Sequence, residues 1–183
     1  MTAQYTVPGL DPGDAELVVT TLQRRLVALI DLQLTLKHIH WNVVGPNFIG
    51  VHEMLDDQAK GVRKMSDEVA ERIATLGHAP TGTPRFVADN RAWDDYRIGR
   101  ATAMQHLAAL DVAYRGLIAD HRAAIVEFEK LDLITQDLLI GQSGTLERYQ
   151  WFVRAHLEDP SGKLAHSGAS GEQEAAESIA PLT

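Results

Sequence analysis

Two pairs of potential metal ligands lie in one stretch of the chain, His52 with Asp56 and Asp67 with Glu71. Imidazole and carboxylate together suit divalent transition metals. The residues of each pair are about one helical turn apart, so on a helix they share a side. The stretch holds no proline, and its one glycine is Gly61. Val51, Leu55, Val62, Met65, Val69, Ile73 and Leu76 recur at helical spacing. At about 100° per residue these seven gather on one face. The four ligand types gather within an arc of about 100° nearly opposite, pointing away from any core.

One helix does not bring the two pairs together. Asp56 and Asp67 are separated by roughly 16 Å of helical rise, whereas bonds to a shared ion are about 2 Å. An antiparallel copy of the same helix closes the gap. His52 then faces Glu71, Asp56 faces Asp67, and two equivalent clusters flank a two-fold axis near Gly61 and Val62. Isologous pairing of this kind is the commonest way soluble proteins dimerise. The competing reading is a solvated acidic face with a stray histidine.

Four long helices must position this stripe. Asp11-Pro12-Gly13-Asp14 has the composition of a helix start. The first helix is expected over about residues 15–43, with Leu22, Leu26, Leu29, Ile30, Leu34 and Ile39 as its stripe. Its end, Lys37 to Val44, is dense in functional side chains, and Gly45-Pro46 stops it. The second helix is expected at 48–76, ended by Gly77 and Pro80. Residues 78–96 form a long crossover with room for a short helix around Phe86. The third helix is expected at 98–129 and the fourth at 134–158. Gly141 and Gly144 in the fourth suggest close packing, and Trp151 and Phe152 read as core. Residues 1–13 read as an N-terminal extension, 14–159 as the bundle and 160–183 as a flexible tail. The tail's Gly, Ser, Ala and Glu content suggests disorder.

The chain has 183 residues, enough for one sizeable core. It is 45% hydrophobic and 23% charged, a globular composition. With no cysteine, disulfides, thiolate metal sites and a cysteine nucleophile are excluded. The net charge of −8 gives no overall basic footprint for nucleic acid. No signal segment and no apolar run of membrane-spanning length occurs, so a cytoplasmic protein without membrane contact is expected.

Short first and last links with one long crossover give the ferritin-like arrangement of four helices. The Glu-x-x-His motif that holds metal inside such bundles is missing. The set on the outer stripe is therefore the better metal-site candidate. His40-Trp41-Asn42-Val43-Val44-Gly45, Phe48 to Asp56 and Asp67 to Arg72 resemble the signature of the Dps family, the mini-ferritins named as DNA-binding proteins from starved cells. The resemblance spans about residues 22–158 and is nearest to actinobacterial members. It implies an all-α, ferritin-like bundle assembling into a hollow shell of twelve subunits. It implies iron as the metal, and ferroxidase sites between two-fold-related subunits. By this resemblance the ligands are His40, His52 and Asp56 of one subunit with Asp67 and Glu71 of its neighbour. Hydrogen peroxide is the implied oxidant and a stored ferric mineral the product. Trp41 is implied to lie near the site, either absorbing stray oxidising equivalents or packing at a subunit contact.

Other residues read as follows. His38 is either an exposed histidine or a partner behind the ligands. His106, His121 and His156 have no ligand-spaced acid. Glu127, Glu129, Asp132 and Asp137 bracket the last turn; in the family this region lines acidic pores, and the alternative is capping by Asp132 and solvation of the others. The alternative function is nucleoid compaction. Residues 1–21 carry no Lys or Arg, and the tail carries Lys163 alone. Arg24 and Arg25 are the best remaining pair, so DNA binding is expected to be weak.

Overall fold

A computed structural model describes residues 5–179. The elements are α1 (Pro12–Asn42), β1 (Val43–Val44), α2 (Phe48–Thr75), α3 (Pro84–Asn90), β2 (Ala101–Thr102), α4 (Ala103–Phe128), α5 (Leu133–Leu157) and α6 (Glu172–Glu177). The expected all-α, ferritin-like bundle is present, with α1 against α2 and α4 against α5.

Local chemistry explains most boundaries. Asp11 caps α1, its carboxylate accepting from Gly13 N at 2.8 Å, and Pro12 occupies the first turn. At the end of α2, Gly77 takes φ 85°. His78 N donates to Ile73 O and Gly77 N to Ala74 O, a Schellman arrangement. Thr102 and Gln105 form a reciprocal capping box at the start of α4. Asp132 caps α5, accepting from Ile134 N.

The expected start of the third helix at residue 98 is corrected to Ala103. Ala101 and Thr102 are extended because they pair in parallel with Val43 and Val44. This two-residue ladder ties the end of α1 to the beginning of α4. Leu22, Leu29 and Leu36 of α1 meet Leu55, Val62 and Val69 of α2 in one core, with Leu107, Tyr114 and Leu117 of α4 and Leu139, Leu146 and Val153 of α5. Close packing falls at Gly61 rather than at Gly141 or Gly144. A Cβ on Gly61 would overlap the Tyr149 hydroxyl, whereas one on Gly141 or Gly144 meets nothing within 4 Å.

The tail reading also needs correction for residues 160–179. Asp159 Oδ1 accepts from Ser161 N and Lys163 N, which turns the chain back. His166, Ala169, Ala175 and Ala176 are then buried, and α6 lies on α4. The N-terminal extension is partly docked as well, with Val7 and Leu10 against the core. Residues 1–4 and 180–183 of these two segments lie outside the described residues. No described helix is long and apolar enough to cross a membrane.

Candidate metal centre

His40 sits in the last turn of α1 and His52 near the start of α2. Asn47, at φ 66°, lies in the tight link between the helices, which reverses the chain and brings the two rings face to face. Their centroids are 3.6 Å apart and their planes 21° from parallel. His40 Nδ1 lies 2.9 Å from His52 O, and His52 Nδ1 lies 2.9 Å from His40 O. A carbonyl only accepts, so each Nδ1 carries the hydrogen and donates. In a neutral ring this leaves the Nε2 lone pair free for a metal. Backbone carbonyls orient metal-binding histidines in this way in many sites.

Asp56 follows one turn along α2. Lys37 Nζ reaches its Oδ1 at 2.8 Å and Lys60 Nζ its Oδ2 at 3.3 Å. Hydrogen bonds from these two ammonium groups hold the Asp56 carboxyl down at about 2. It is therefore a carboxylate at any working pH, and an incoming cation competes with two lysines for it. Trp41 is 71% exposed, with Lys37 Nζ 5.7 Å from its ring centroid. Phe48 stands 5.0 Å from the His52 ring.

Asp67 and Glu71 are exposed further along α2, on the same side as Asp56. Asp67 borders a groove of about 740 Å³ shared with Leu26, Ile30, Lys60, Arg63 and Lys64. Among the described residues no three His, Asp or Glu side chains of one chain converge closely enough to hold a metal. The structure thus brings His40 and His52 together, sets Asp56 one turn from His52, and leaves Asp67 and Glu71 about three and four turns further along. An exposed apolar rim of Leu34, Trp41, Phe48 and Ile49 lies on the same helices.

The other candidates fall into structural roles. His38 Nε2 meets Ile98 O at 2.8 Å, which is neither of its two expected roles. His106 and His121 are buried; burial, aided by His38 and Arg25 respectively, pushes each down to about 4. His156 is exposed. Asp132 binds Arg72 at 2.6 Å as well as capping α5. Burial alone would raise its carboxyl, but hydrogen bonds from Thr135 and Arg72 outweigh that and hold it below the usual range. Glu127 accepts from Thr21, while Glu129 and Asp137 are exposed. Trp151 is 63% exposed, so the core reading is wrong for it.

One cluster escaped the sequence reading. Asp111 of α4 accepts from Gln150 and Arg154 of α5 and pairs with His166 of the folded-back tail at 3.0 Å. An acid at an otherwise apolar helix position was the available signal.

Residues 19–162 match the family model described as a ferritin-like domain. The chain is 57% identical over 173 residues to the DNA protection during starvation protein of Mycolicibacterium smegmatis, covering 94% of each. The solved structure of Mycobacterium smegmatis Dps aligns with a TM-score of 0.90 at 57% identity, covering 93% of this chain and 97% of that one. DpsA14 from Streptomyces coelicolor aligns at 0.88, also 57% identical, covering 90% and 98%.

Proposed function

The chain belongs to the Dps family of ferritin-like proteins, and on that premise we propose that it oxidises Fe(II) and stores the ferric product inside a shell of twelve copies. The observation that carries this reading is the reciprocal bracing of His40 and His52. It fixes two imidazoles with their Nε2 atoms unspent beside an ionised Asp56. Asp67 and Glu71 complete the set from a two-fold-related copy, since one helix holds them roughly 16 Å and 22 Å from Asp56. Iron is the substrate and cargo. Imidazole and carboxylate bind Fe(II), and the hard carboxylates favour Fe(III) once formed.

Hydrogen peroxide is the proposed oxidant. Two Fe(II) deliver two electrons, two protons enter, and two waters leave without a free radical. The exposed rim of Leu34, Trp41, Phe48 and Ile49 supports burial against a second copy. The test is anaerobic Fe(II) loading followed by peroxide. A soluble, protein-sized ferric product is expected; a ferric precipitate with the protein left bare overturns the reading.

DNA contact is proposed to be weak. Arg25, half of the best remaining basic pair, is 6% exposed and bound to Asp120 at 3.0 Å. Arg24 donates to Thr21. A gel-shift titration at physiological salt should give no stable complex, because counterion release needs several free cations.

A further inference from the structure

Tyr96 lies in the crossover between α3 and β2, outside the proposed ligand set. Its hydroxyl is 2.8 Å from Nδ1 of His106, in the first turn of α4. The two rings are 15° from parallel with centroids 6.0 Å apart. His106 is fully buried, and burial together with His38 keeps it neutral at ordinary pH, pushed down to about 4. Burial, reinforced by Glu172, raises the Tyr96 phenol well above its usual value. The pair is a neutral phenol against a neutral imidazole, and in the tautomer with the ring hydrogen on Nε2 the phenol donates to Nδ1. Backbone groups of Asn42 and Gly99 offset only part of the His106 shift.

This pair abuts the turn of α1 that carries the centre. Tyr96 meets the His38 ring edge-on at 5.7 Å. His106 lies against the backbone of Asn42. His40 stands between those two contacts in sequence. The pair and the braced histidines are thus separated by about the width of one helix, ~10–12 Å, a distance that a single electron crosses readily. A group that gives up an electron at such a site needs a base for its proton, and Tyr96 has one already in place.

We propose that Tyr96 is a reserve electron donor to the metal centre, releasing its phenol proton to His106 as it gives up one electron. The inference rests on the ferroxidase reading. Peroxide needs two electrons and two protons to become two waters. When a site holds two Fe(II), iron supplies both electrons. When it holds one, that Fe(II) supplies the first and Tyr96 the second. The phenol O–H bond breaks, a bond from hydrogen to His106 Nδ1 forms, and a neutral tyrosyl radical faces an imidazolium. Solvent supplies the two protons consumed by peroxide. A later Fe(II) reduces the radical, and His106 returns the proton. The net reaction is unchanged, with two Fe(II) oxidised per peroxide. Tyr96 stands in for a late second iron, so that a hydroxyl radical does not escape.

The test uses the assembled protein, mixed anaerobically with substoichiometric Fe(II) and then peroxide, and frozen for electron paramagnetic resonance. A tyrosyl signal is expected. Tyr96→Phe, which keeps the ring, should lose most of that signal and raise spin-trapped hydroxyl radical severalfold. His106→Gln, which keeps the phenol but removes the base, should also lower the tyrosyl yield. At saturating Fe(II) both variants should oxidise iron at the parent rate, which separates an electron-donor role from general damage. Parent protein without a tyrosyl signal, or Tyr96→Phe with an undiminished one, overturns the inference while leaving the ferroxidase reading standing. Parent protein that forms no soluble ferric product at saturating Fe(II) overturns both.

Discussion

Two polar clusters use the same residue types in opposite ways. At the junction of α1 and α2, His40 and His52 spend one ring nitrogen each on backbone carbonyls, and Asp56 is met by two lysines. Where α4, α5 and the tail meet, Asp111 is 1% exposed and both its oxygens are held by Gln150, Arg154 and His166. The first cluster leaves both Nε2 atoms uncommitted. The second is closed, because its acid is saturated from three elements. A histidine beside an aspartate is therefore not diagnostic; what remains uncommitted decides.

The comparison breaks most completely if the open cluster needs nothing further. Asp67→Ala with Glu71→Ala should slow peroxide-driven oxidation by at least ~100-fold, the upper range for disturbing groups around a metal, while the shell still assembles. Stopped-flow absorbance of the assembled variant measures this. A parent-like rate would show that His40, His52 and Asp56 suffice within one chain.

The closed cluster should respond in stability rather than in chemistry. Asp111→Ala leaves Arg154 and His166 without their acid. A loss of about 3 kcal/mol is expected, the low end for breaking a buried pair, because Arg154 is partly exposed. Urea denaturation gives the number. Iron oxidation by the variant should stay at the parent rate at temperatures where it remains folded.

A smaller effect is expected at the open site's counterions. Lys37→Met removes the shorter of the two lysine contacts to Asp56. The Asp56 carboxyl should rise from about 2 toward its ordinary range, yet remain ionised at neutral pH. With one competitor gone, Fe(II) should bind severalfold more tightly in an anaerobic titration. Unchanged or weaker binding would mean that Lys37 helps to organise the site rather than competing for it.

The smallest effect concerns the tail that closes the second cluster. Burial, then Asp31 and Asp94 against the opposing Arg91, push Glu172 up to about 7. A carboxyl raised on folding favours the docked state fully below its unfolded value of 4.5. That contribution fades as pH rises through about 7. Amide exchange over residues 164–179 should therefore quicken between pH 5 and 8 by more than its intrinsic pH dependence. Glu172→Gln should remove the excess. An excess that survives in that variant would assign the effect to another group.

The long helices were legible because helical periodicity is a local property. Val51, Leu55, Val62 and Val69 follow the turn of their own helix, and each is buried. The same periodicity put Asp67 and Glu71 on the exposed side with Asp56. The loop and cap residues Asp11, Gly77 and Asp132 act within a few residues of where they stand, so they too were readable. Trp151 departs from the core expectation because apolar character alone does not say which face of α5 meets α4. The tail departs from the expected disorder because it buries small residues, Ala169, Ala175 and Ala176, which carry little apolar signal.

The sequence by itself determined four amphipathic helices, the order of their short and long links, and two pairs of proposed ligands on one outward stripe. These follow from residue type and from spacings of a few residues, within which chain geometry is nearly fixed. Tertiary structure decided which ring nitrogens are committed, through the 2.9 Å contacts between His40 and His52 across the reversal from α1 to α2. It decided that Lys37 answers Asp56, that Tyr96 finds His106, and that His166 seals Asp111. Those partners depend on how helices and loops cross in space, and no local period encodes a crossing.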